Sequence, residues 1–399
     1  MQAPAPSSAA SPMTTTSSHP SHYRFVICGA GPVGQALALE LHRGGVVANE
    51  ILLIDAKNAE QVSKDARTIA LSHGSQQLLE RWHASPQNAT AIREIHVSRR
   101  RHFGRTLIHA QDYSLPALGY VVRYGDIINP LERSLTQADL QVLRPQLVAA
   151  IHNADDEADV VRIALAGRDD ITADCVIQAE GGIFSDQVQR QQHRDYQQSA
   201  VIAHVNCAHP IAHRAFERFT EEGPIALLPQ DAGYSLVWCC RPERANSLQQ
   251  LDDVAFLQAL QTAFGDRVGQ FTAASPRFVF TLGLNAQADA SRRTVKIGNA
   301  AQTLHPVAGQ GLNLGLRDAF VLAQHLLRDP VEIGIEKFMQ TQEHDRQRTI
   351  KITDGMARLF AASADGSALQ TVLGLGLSAV DLLSPLKREL AEQMMFGRR

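Results

Sequence analysis

Two glycine-rich loops lie far apart in this chain of 399 residues, and together they constrain its fold more than any other feature. The first, Gly29-Ala-Gly-Pro-Val-Gly34, follows the apolar run 23–28 and precedes residues 35–42, whose apolar positions have helical spacing. A strand, a tight turn and a helix in this order are typical of a dinucleotide-binding βαβ unit, where the pyrophosphate meets the helix N-terminus. The second, Gly309-Gln-Gly-Leu-Asn-Leu-Gly315, precedes another helical pattern.

Each glycine of the first loop has a separate role in this motif. Gly29 permits the turn, Gly31 lets the backbone approach a pyrophosphate, and Gly34 lets the helix pack on the strand. A second apolar strand over residues 50–55 ends in a carboxylate at the spacing expected for holding a ribose hydroxyl. Asp55 is therefore the predicted ribose ligand.

The second loop indicates which dinucleotide is bound. Residues 295–319 have the pattern of a strand, a loop ending in Gly-Gln-Gly, and a helix that begins at about Leu312. This stretch resembles the second FAD-contacting segment of the class A flavoprotein aromatic hydroxylases, and an NAD dehydrogenase needs no such loop. Residues 65–72 and 215–229 also match this family. Within it, the chain resembles the branch that hydroxylates prenylated methoxyphenols in ubiquinone biosynthesis.

The resemblance runs from about Tyr23 to the C-terminal region and implies an α/β fold. We expect a Rossmann-like FAD-binding domain that is discontinuous in sequence, an inserted β-sheet substrate domain, and C-terminal helices; the length also suggests two lobes. The predicted FAD-binding domain comprises residues 23–91, 123–199 and 286–365, the substrate domain residues 92–122 and 200–285, and the C-terminal helices residues 366–399. Residues 1–22, rich in Ala, Ser, Thr and Pro, are expected to be a disordered tail.

The resemblance also implies which residues contact FAD. Asn299 stands where the broad family has Asp, and its amide can still bond a ribityl hydroxyl. Glu180 replaces another family Asp with a longer side chain, which puts its contact in doubt. Arg123 is equally consistent with a solvated surface arginine. The predicted cofactor-binding residues are Gly29, Gly31, Pro32, Val33, Gly34, Asp55, Arg67, Arg123, Asn299, Gly309, Gln310, Gly311, Leu312 and Asn313.

The implied reaction is hydroxylation of a phenol with O2, with NAD(P)H as co-substrate and electron donor. His305 and Pro306 are predicted to position the substrate beside the flavin, and His305 is a candidate to accept the phenol proton; the alternative is a histidine that only holds the loop. The predicted ring pocket contains Phe216, Phe219 and Trp238, although aromatic residues on strands are more often ordinary core.

Composition excludes several other classes of function. A formal net charge of -3 and no basic helix with interleaved aromatics argue against a nucleic-acid partner. Five cysteines without Cys-x-x-Cys spacing are expected to be reduced thiols of a cytoplasmic protein, and no histidine spacing predicts a metal site. A prenylated substrate implies contact with a membrane or a quinone-biosynthesis complex. Residues 372–386 are the candidate docking helix, with capping of the FAD-binding domain as the alternative.

Two other functions remain open at this stage. One is a flavin-dependent reductase that saturates a prenyl chain, and the other is a non-catalytic flavoprotein subunit of a quinone-biosynthesis complex. The Glu180 replacement keeps the second alternative open. Both FAD loops and Arg67 are intact, which favours the hydroxylase.

Overall fold

A computed structural model of the chain describes residues 21–60, 67–100, 105–153, 159–180, 194–286, 290–303 and 310–342. The strands are β1 (His22–Cys28), β2 (Ile51–Ile54), β3 (Thr68–Ser72), β4 (Thr90–Ile92), β5 (Glu94–Arg99), β6 (Arg105–His109), β7 (Gly119–Arg123), β8 (Gln141–Leu143), β9 (Val148–His152), β10 (Val161–Leu165), β11 (Ile171–Gln178), β12 (Arg194–Cys207), β13 (Arg214–Phe219), β14 (Pro224–Gln230), β15 (Gly233–Cys240), β16 (Phe271–Ala274), β17 (Phe278–Ala286), β18 (Thr294–Lys296) and β19 (Gln302–Thr303). The helices are α1 (Pro32–Arg43), α2 (His73–Arg81), α3 (Tyr124–Gln137), α4 (Pro242–Gln250), α5 (Asp253–Phe264) and α6 (Gln310–Arg328), and residues 331–342 are also helical.

The first sheet has the strand order β8-β2-β1-β11-β10-β9, with β18 paired to β11. Its central strands run parallel, from β8 through β2 and β1 to β11 and β18. Every residue of β2 is buried, because both faces of the sheet are covered by apolar clusters. A strand buried on both sides needs a continuous apolar run rather than an alternating one. The carboxyl ends of β1 and β2 thus form the edge where a ligand crevice is expected.

The second sheet is mostly antiparallel and has the order β19-β17-β12-β15-β14-β13-β5-β6, with β16 paired to β12. Strands β13 and β5 run parallel. Helices α4 and α5 pack on one face through an aromatic and aliphatic cluster that includes Phe256 and Phe264. We call this the helix-covered face, and the other the junction face, because it turns toward a small three-stranded sheet.

This small sheet has the order β3-β7-β4 and joins the two larger sheets. On the junction face, Leu228 packs near a cluster formed by Ile92, Val121 and Ala215. The hydroxyl of Thr68 donates a hydrogen bond of 3.0 Å to Oε1 of Gln230. The start of β3 is therefore held against the end of β14 in the second sheet.

The predicted α/β class is confirmed, and the first sheet has the parallel strand order of a Rossmann-like domain. The domain boundaries stay a prediction; β12 begins at Arg194, within the range that the prediction assigned to the FAD-binding domain. Most of the predicted N-terminal tail and all of the C-terminal helices lie outside the described residues. In the described part of the chain, no helix is long and apolar enough to cross a membrane.

Candidate functional site

Only glycine fits at two positions of the first glycine loop. Gly29 has φ +110°, and a Cβ there would lie 2.7 Å from the backbone of Ala179 at the end of β11. A Cβ at Gly34 would lie 1.9 Å from the carbonyl oxygen of Gly29. The loop is thus wedged between two strand ends and the start of α1, as the sequence predicted for these two glycines.

Gly31 differs from Gly29 and Gly34 because a side chain there would have room: it would point into open space rather than into the protein. It is the N-cap of α1 with extended backbone, and no side chain in the described residues caps it. Pro32 occupies the first turn, which contains no acidic residue. A Cβ at Gly31 would meet only the hydroxyl of Tyr124, at 3.6 Å. The positive end of the α1 dipole is therefore accessible to an anion.

Asp55 follows β2 and holds the same loop in place. Its Oδ2 accepts the backbone N–H of Ala30 at 2.7 Å, and its Oδ1 accepts that of Lys57 at 2.8 Å. Each carboxylate oxygen can accept a second hydrogen bond. Asp55 can therefore bind a ribose hydroxyl while it fixes the pyrophosphate loop.

The two glycine loops meet at Val33, the second residue of α1. A Cβ at Gly315 of α6 would lie 2.6 Å from one methyl of Val33, and a Cβ at Gly298 would lie 3.3 Å from the other. Gly298 has φ +58°, and its N–H donates to Oδ2 of the buried Asp318 at 3.0 Å. Segments more than half the chain apart are thus packed into one site.

The start of α6 is tied to the small sheet as well. Asn313 is buried; its Oδ1 accepts the N–H of Ser72 at 2.8 Å and its Nδ2 donates to the carbonyl of Ala70 at 2.9 Å. Asn299 lies beside this helix start, with Oδ1 3.6 Å from where a Cβ of Gly311 would be. Leu312 packs against the main core cluster. The described part of the second loop is thus held against the small sheet and the main core.

Arg67 and Tyr124 form a pair that the sequence only half predicted. The guanidinium carbon of Arg67 lies 5.0 Å from the centroid of the Tyr124 ring, and the Tyr124 N–H donates to the carbonyl of Arg67 at 2.8 Å. Because the Tyr124 hydroxyl is near Gly31, the pair places a cation beside the pyrophosphate loop. Tyr124 had no signal in the sequence, since an aromatic residue at a helix start is common.

Arg123 lies at the junction between sheets. Its Nη2 is 2.6 Å from Oδ2 of Asp231 at the tip of the β14–β15 turn, and both side chains are about half exposed. Among the described residues, the charged group of Arg123 pairs with Asp231. This position matches the solvated alternative better than a flavin contact. Its FAD contact stays a prediction.

The three aromatic residues of the predicted pocket lie on different faces of the second sheet. Phe216 packs on the helix-covered face, with ring centroids 5.8 Å from Phe264. Trp238 lies on the same face, 6.4 Å from Phe256, and borders a cavity of about 580 Å3 beneath α5. Phe219 lies three residues after Phe216 on β13, and because side chains alternate along a strand it points to the opposite face, the junction face, where it is buried. Of the three, Phe219 faces the side of the cofactor loops.

Glu217 lies on the junction face with Phe219 and was not among the site residues predicted from the sequence. Its Oε1 is buried and accepts no hydrogen bond from the described residues. Removal from water raises the pKa of this carboxyl to about 7, because burial disfavours the charged form. Strand alternation, which puts Glu217 and Phe219 on one face, was the signal that could have found it.

The remaining predicted residues cannot be placed. His305, Pro306 and Gly309 lie outside the described residues, and so does the side chain of Gln310. The described features of the site fit a dinucleotide of the size of FAD. They are the uncapped N-terminus of α1, the open space for an anion at Gly31, the carboxylate at the end of β2 and the second loop packed on Val33.

Comparisons with known proteins agree with this geometry. The family model described as FAD binding domain matches residues 22–353. The ubiquinone hydroxylase UbiL of Rhodospirillum rubrum is 30% identical over 401 residues, covering 91% of this chain and 87% of that protein. The 3-demethoxyubiquinol 3-hydroxylase of Escherichia coli is 30% identical, covering 92% of this chain and 96% of its own. The crystal structure of p-nitrophenol 4-monooxygenase PnpA from Pseudomonas putida has a TM-score of 0.72 at 15% identity, covering 95% and 99% of the two chains.

Proposed function

Since the chain belongs to the FAD binding domain family, we propose that it is an aromatic hydroxylase acting on a prenylated phenol in ubiquinone biosynthesis. It is an FAD-dependent monooxygenase, with NAD(P)H as electron donor and with O2 and a phenol as substrates. The observation that carries the proposal is the packing of both glycine loops on Val33. A dinucleotide held only by its pyrophosphate and ribose would need the first loop alone.

Bound FAD supplies the reduction of O2 with electrons from NAD(P)H and the transfer of one oxygen atom to the ring, while the other oxygen leaves as water. The chain's own residues bind and orient. The α1 N-terminus at Gly31 stabilises the pyrophosphate charge, Asp55 accepts from a ribose hydroxyl, and Arg67 adds a positive charge nearby. The N-terminus of α6 supports negative charge on the ring system.

The junction face of the second sheet is proposed to cover the phenol. Ala200, Cys239 and Leu282 are buried there, and Ile202 and Val237 pack against them. An apolar ceiling of this kind excludes water and holds the ring within reach of the cofactor. Phe219 is proposed as a pocket residue on this face, and His305 and Pro306 keep their proposed role in positioning.

We also propose that the enzyme acts at the cytoplasmic face of a membrane or within a quinone-biosynthesis complex. A prenyl tail is too apolar to reach the site by diffusion through water, and the relatives named above are ubiquinone-pathway hydroxylases. Flotation of the full chain with vesicles that contain a prenylated phenol tests the membrane contact. Binding that is unchanged when residues 367–399 are deleted would contradict the proposed role of the C-terminal segment.

The test of the function is a turnover assay with isotopically labelled O2. The FAD-loaded protein, NAD(P)H and a prenylated methoxyphenol are incubated, and the lipid product is analysed by mass spectrometry. We expect one labelled oxygen on the ring and NAD(P)H oxidation that depends on the phenol. Gly31→Ala, which is expected to bind FAD roughly tenfold to a hundredfold more weakly, is the matched control, assayed at an FAD concentration that saturates only the wild type.

The same assay separates the alternatives. A product with two added hydrogens and no label would indicate a prenyl reductase. A protein that binds FAD but whose flavin is not reduced by NAD(P)H, with or without the phenol, would be a non-catalytic subunit. Labelled product from a soluble phenol, and none from the prenylated one, would keep the hydroxylase and change its substrate.

A further inference from the structure

A polar row crosses the edge of the second sheet on its helix-covered face, away from the proposed FAD site. Arg218 of β13 is opposite Ser98 of β5, which is opposite Arg105 of β6. Residues directly opposite each other share a face and lie about 5 Å apart at Cβ. Nη1 of Arg218 donates to Oγ of Ser98 at 3.4 Å. Two arginine positions therefore flank Ser98 on neighbouring strands, and the guanidinium of Arg218 bonds its hydroxyl.

A third arginine reaches this row from the turn after α5. Arg267 follows Gly265, where an added Cβ would lie 3.7 Å from Nη2 of Arg218. Burial, and next the charge of Arg267, lower the pKa of Arg218 to about 10. The pKa of Arg267 is lowered by burial and then by Arg105. We call Arg105, Arg218 and Arg267 the arginine cluster.

A histidine next to the row is subject to the same positive field. His96 is 6% exposed and lies two residues before Ser98 on β5, on the same face of the sheet. Its ring centroid is 5.5 Å from that of Phe216. Its pKa falls to about 4, first through burial and then through Arg267, Arg214 and Arg105. All the charges that shift this pKa are positive. Positive charge therefore predominates around His96, where Arg214 is itself paired with Glu94 while Arg267 and Arg105 form no ion pair with a described residue.

In the described part of the chain, no carboxylate lies within ion-pair distance of any member of the arginine cluster. Arg218 is only 8% exposed, and its Nε is buried without a hydrogen-bond partner. Residues 101–104, which connect β5 to β6 and are not described, contain no Asp or Glu. Burying an unpaired charge is much more costly than burying a paired one.

The C-terminus of α5 does not balance this charge. Its dipole places about half an elementary negative charge near Phe264. The guanidinium of Arg218 is near this end, with Cζ 6.0 Å from the Phe264 ring. Three guanidinium groups exceed that partial charge several-fold. Water solvates the exposed Arg105 and Arg267, but Nε of the buried Arg218 has no partner among the described residues, and an anion held between these side chains would neutralise it.

We propose that the arginine cluster and the hydroxyl of Ser98 bind a phosphoryl group. Guanidinium forks match the oxygens of a phosphate, and a dianion suits two to three cations better than a single carboxylate does. Arg218 is the buried base of the site, and the exposed Arg105 and Arg267 close around the ligand. The phosphoryl group belongs either to a soluble phosphate ester or to a lipid headgroup. The inference does not depend on the proposed hydroxylation.

The test uses the full FAD-loaded chain and inorganic phosphate as the probe. Thermal unfolding is followed as phosphate replaces chloride at constant ionic strength, for the wild type and for Arg267→Gln. Loss of one charge-assisted contact should weaken phosphate binding about tenfold. Without phosphate, Arg267→Gln should unfold at the same or a higher temperature, because it removes repulsion. Arg218→Gln is a second variant, and Arg267→Gln alone decides if it does not fold.

The matched control is Arg162→Gln, which changes an exposed arginine of β10 that lies 3.7 Å from Asp170. Its phosphate response should equal that of the wild type. A second arm compares binding to phosphatidylcholine vesicles with and without phosphatidic acid. Phosphate binding weakened in Arg267→Gln, with no vesicle effect, supports a soluble ligand. Vesicle binding that needs both phosphatidic acid and Arg267 supports a headgroup. If neither phosphate nor vesicles distinguish the wild type from Arg267→Gln, the proposal is wrong.

Discussion

Two alanine substitutions in one loop should separate cofactor binding from folding. Gly31 has φ -75° and ψ -178°, which alanine adopts without strain, and its new methyl would meet only the Tyr124 hydroxyl at the ordinary distance of 3.6 Å. At Gly34 the methyl would lie 1.9 Å from a carbonyl oxygen of the backbone. The first methyl fits the protein and occupies the space where a pyrophosphate must approach; the second does not fit the protein at all.

The expected magnitudes follow from these surroundings. For Gly31→Ala without FAD, the weaker N-cap costs some tenths of a kcal/mol, and the lower entropy of the unfolded chain offsets about 0.4–1 kcal/mol. Its free energy of unfolding should therefore change by less than about 1 kcal/mol. Displacing the pyrophosphate from the helix N-terminus loses one charge-assisted hydrogen bond or more, about 1.5–3 kcal/mol each. The Kd for FAD should rise roughly tenfold to a hundredfold.

The assay is titration of FAD into the cofactor-free protein, followed by flavin fluorescence, together with urea unfolding of the same samples. Gly34→Ala should yield little folded protein, because the strand end, the loop and α1 cannot all keep their positions. Gly31→Ala that folds normally and binds FAD within about twofold of wild type would refute the placement of the pyrophosphate. Destabilisation of that variant by more than about 2 kcal/mol would refute the open space at Gly31.

Three further predictions concern other parts of the chain. Glu40 of α1 is 1% exposed and accepts hydrogen bonds from Arg81, from Trp82 Nε1 at 2.7 Å and from Gln324 at 3.0 Å. Glu40→Ala should lower the free energy of unfolding in urea by about 2–4 kcal/mol, because the buried indole N–H of Trp82 and the amide of Gln324 lose their acceptor. The control Glu50→Ala, which removes an exposed pair at 3.9 Å, should cost less than about 1 kcal/mol, and equal losses would contradict the argument. Glu217 has its pKa raised from 4.5 to about 7, so the folded state holds a proton that the unfolded chain has released, and stability falls as pH rises through that window. The free energy of unfolding of Glu217→Gln should therefore exceed that of the wild type by roughly 1–3 kcal/mol at about pH 8 and differ little from it below pH 4.5. A difference that does not change with pH would show that the pKa of this carboxyl is not raised by burial. Arg123→Ala breaks an exposed pair and should change the Kd for FAD less than about threefold, whereas a loss comparable to that of Gly31→Ala would place Arg123 against the cofactor.

Local patterns in the sequence were sufficient for the α/β class and for the strand, turn and helix at which FAD is proposed to bind. The run before Gly29, the helical spacing after Gly34 and the carboxylate at Asp55 are read within a few tens of residues, and each has its own backbone or charge requirement. The structure bears out the geometry at Gly29 and Gly34, where a side chain is excluded. Resemblance to a family was needed to connect this unit with the second loop, because no local pattern specifies a contact between distant segments.

The tertiary structure decided which side of each strand meets the site. Alternation predicts that Phe216 and Phe219 point to opposite faces, but which face is covered by helices depends on where α4 and α5 pack. The same long-range packing leaves Oε1 of Glu217 without a hydrogen-bond partner among the described residues and brings Arg67 to the ring of Tyr124. By itself the sequence determined the elements and the loops that only glycine can form, since these depend on neighbouring residues. The convergence of two loops on Val33 and the alignment of Arg218, Ser98 and Arg105 on three neighbouring strands arise only when distant segments pack, because these contacts are set by register and layer order rather than by local propensity.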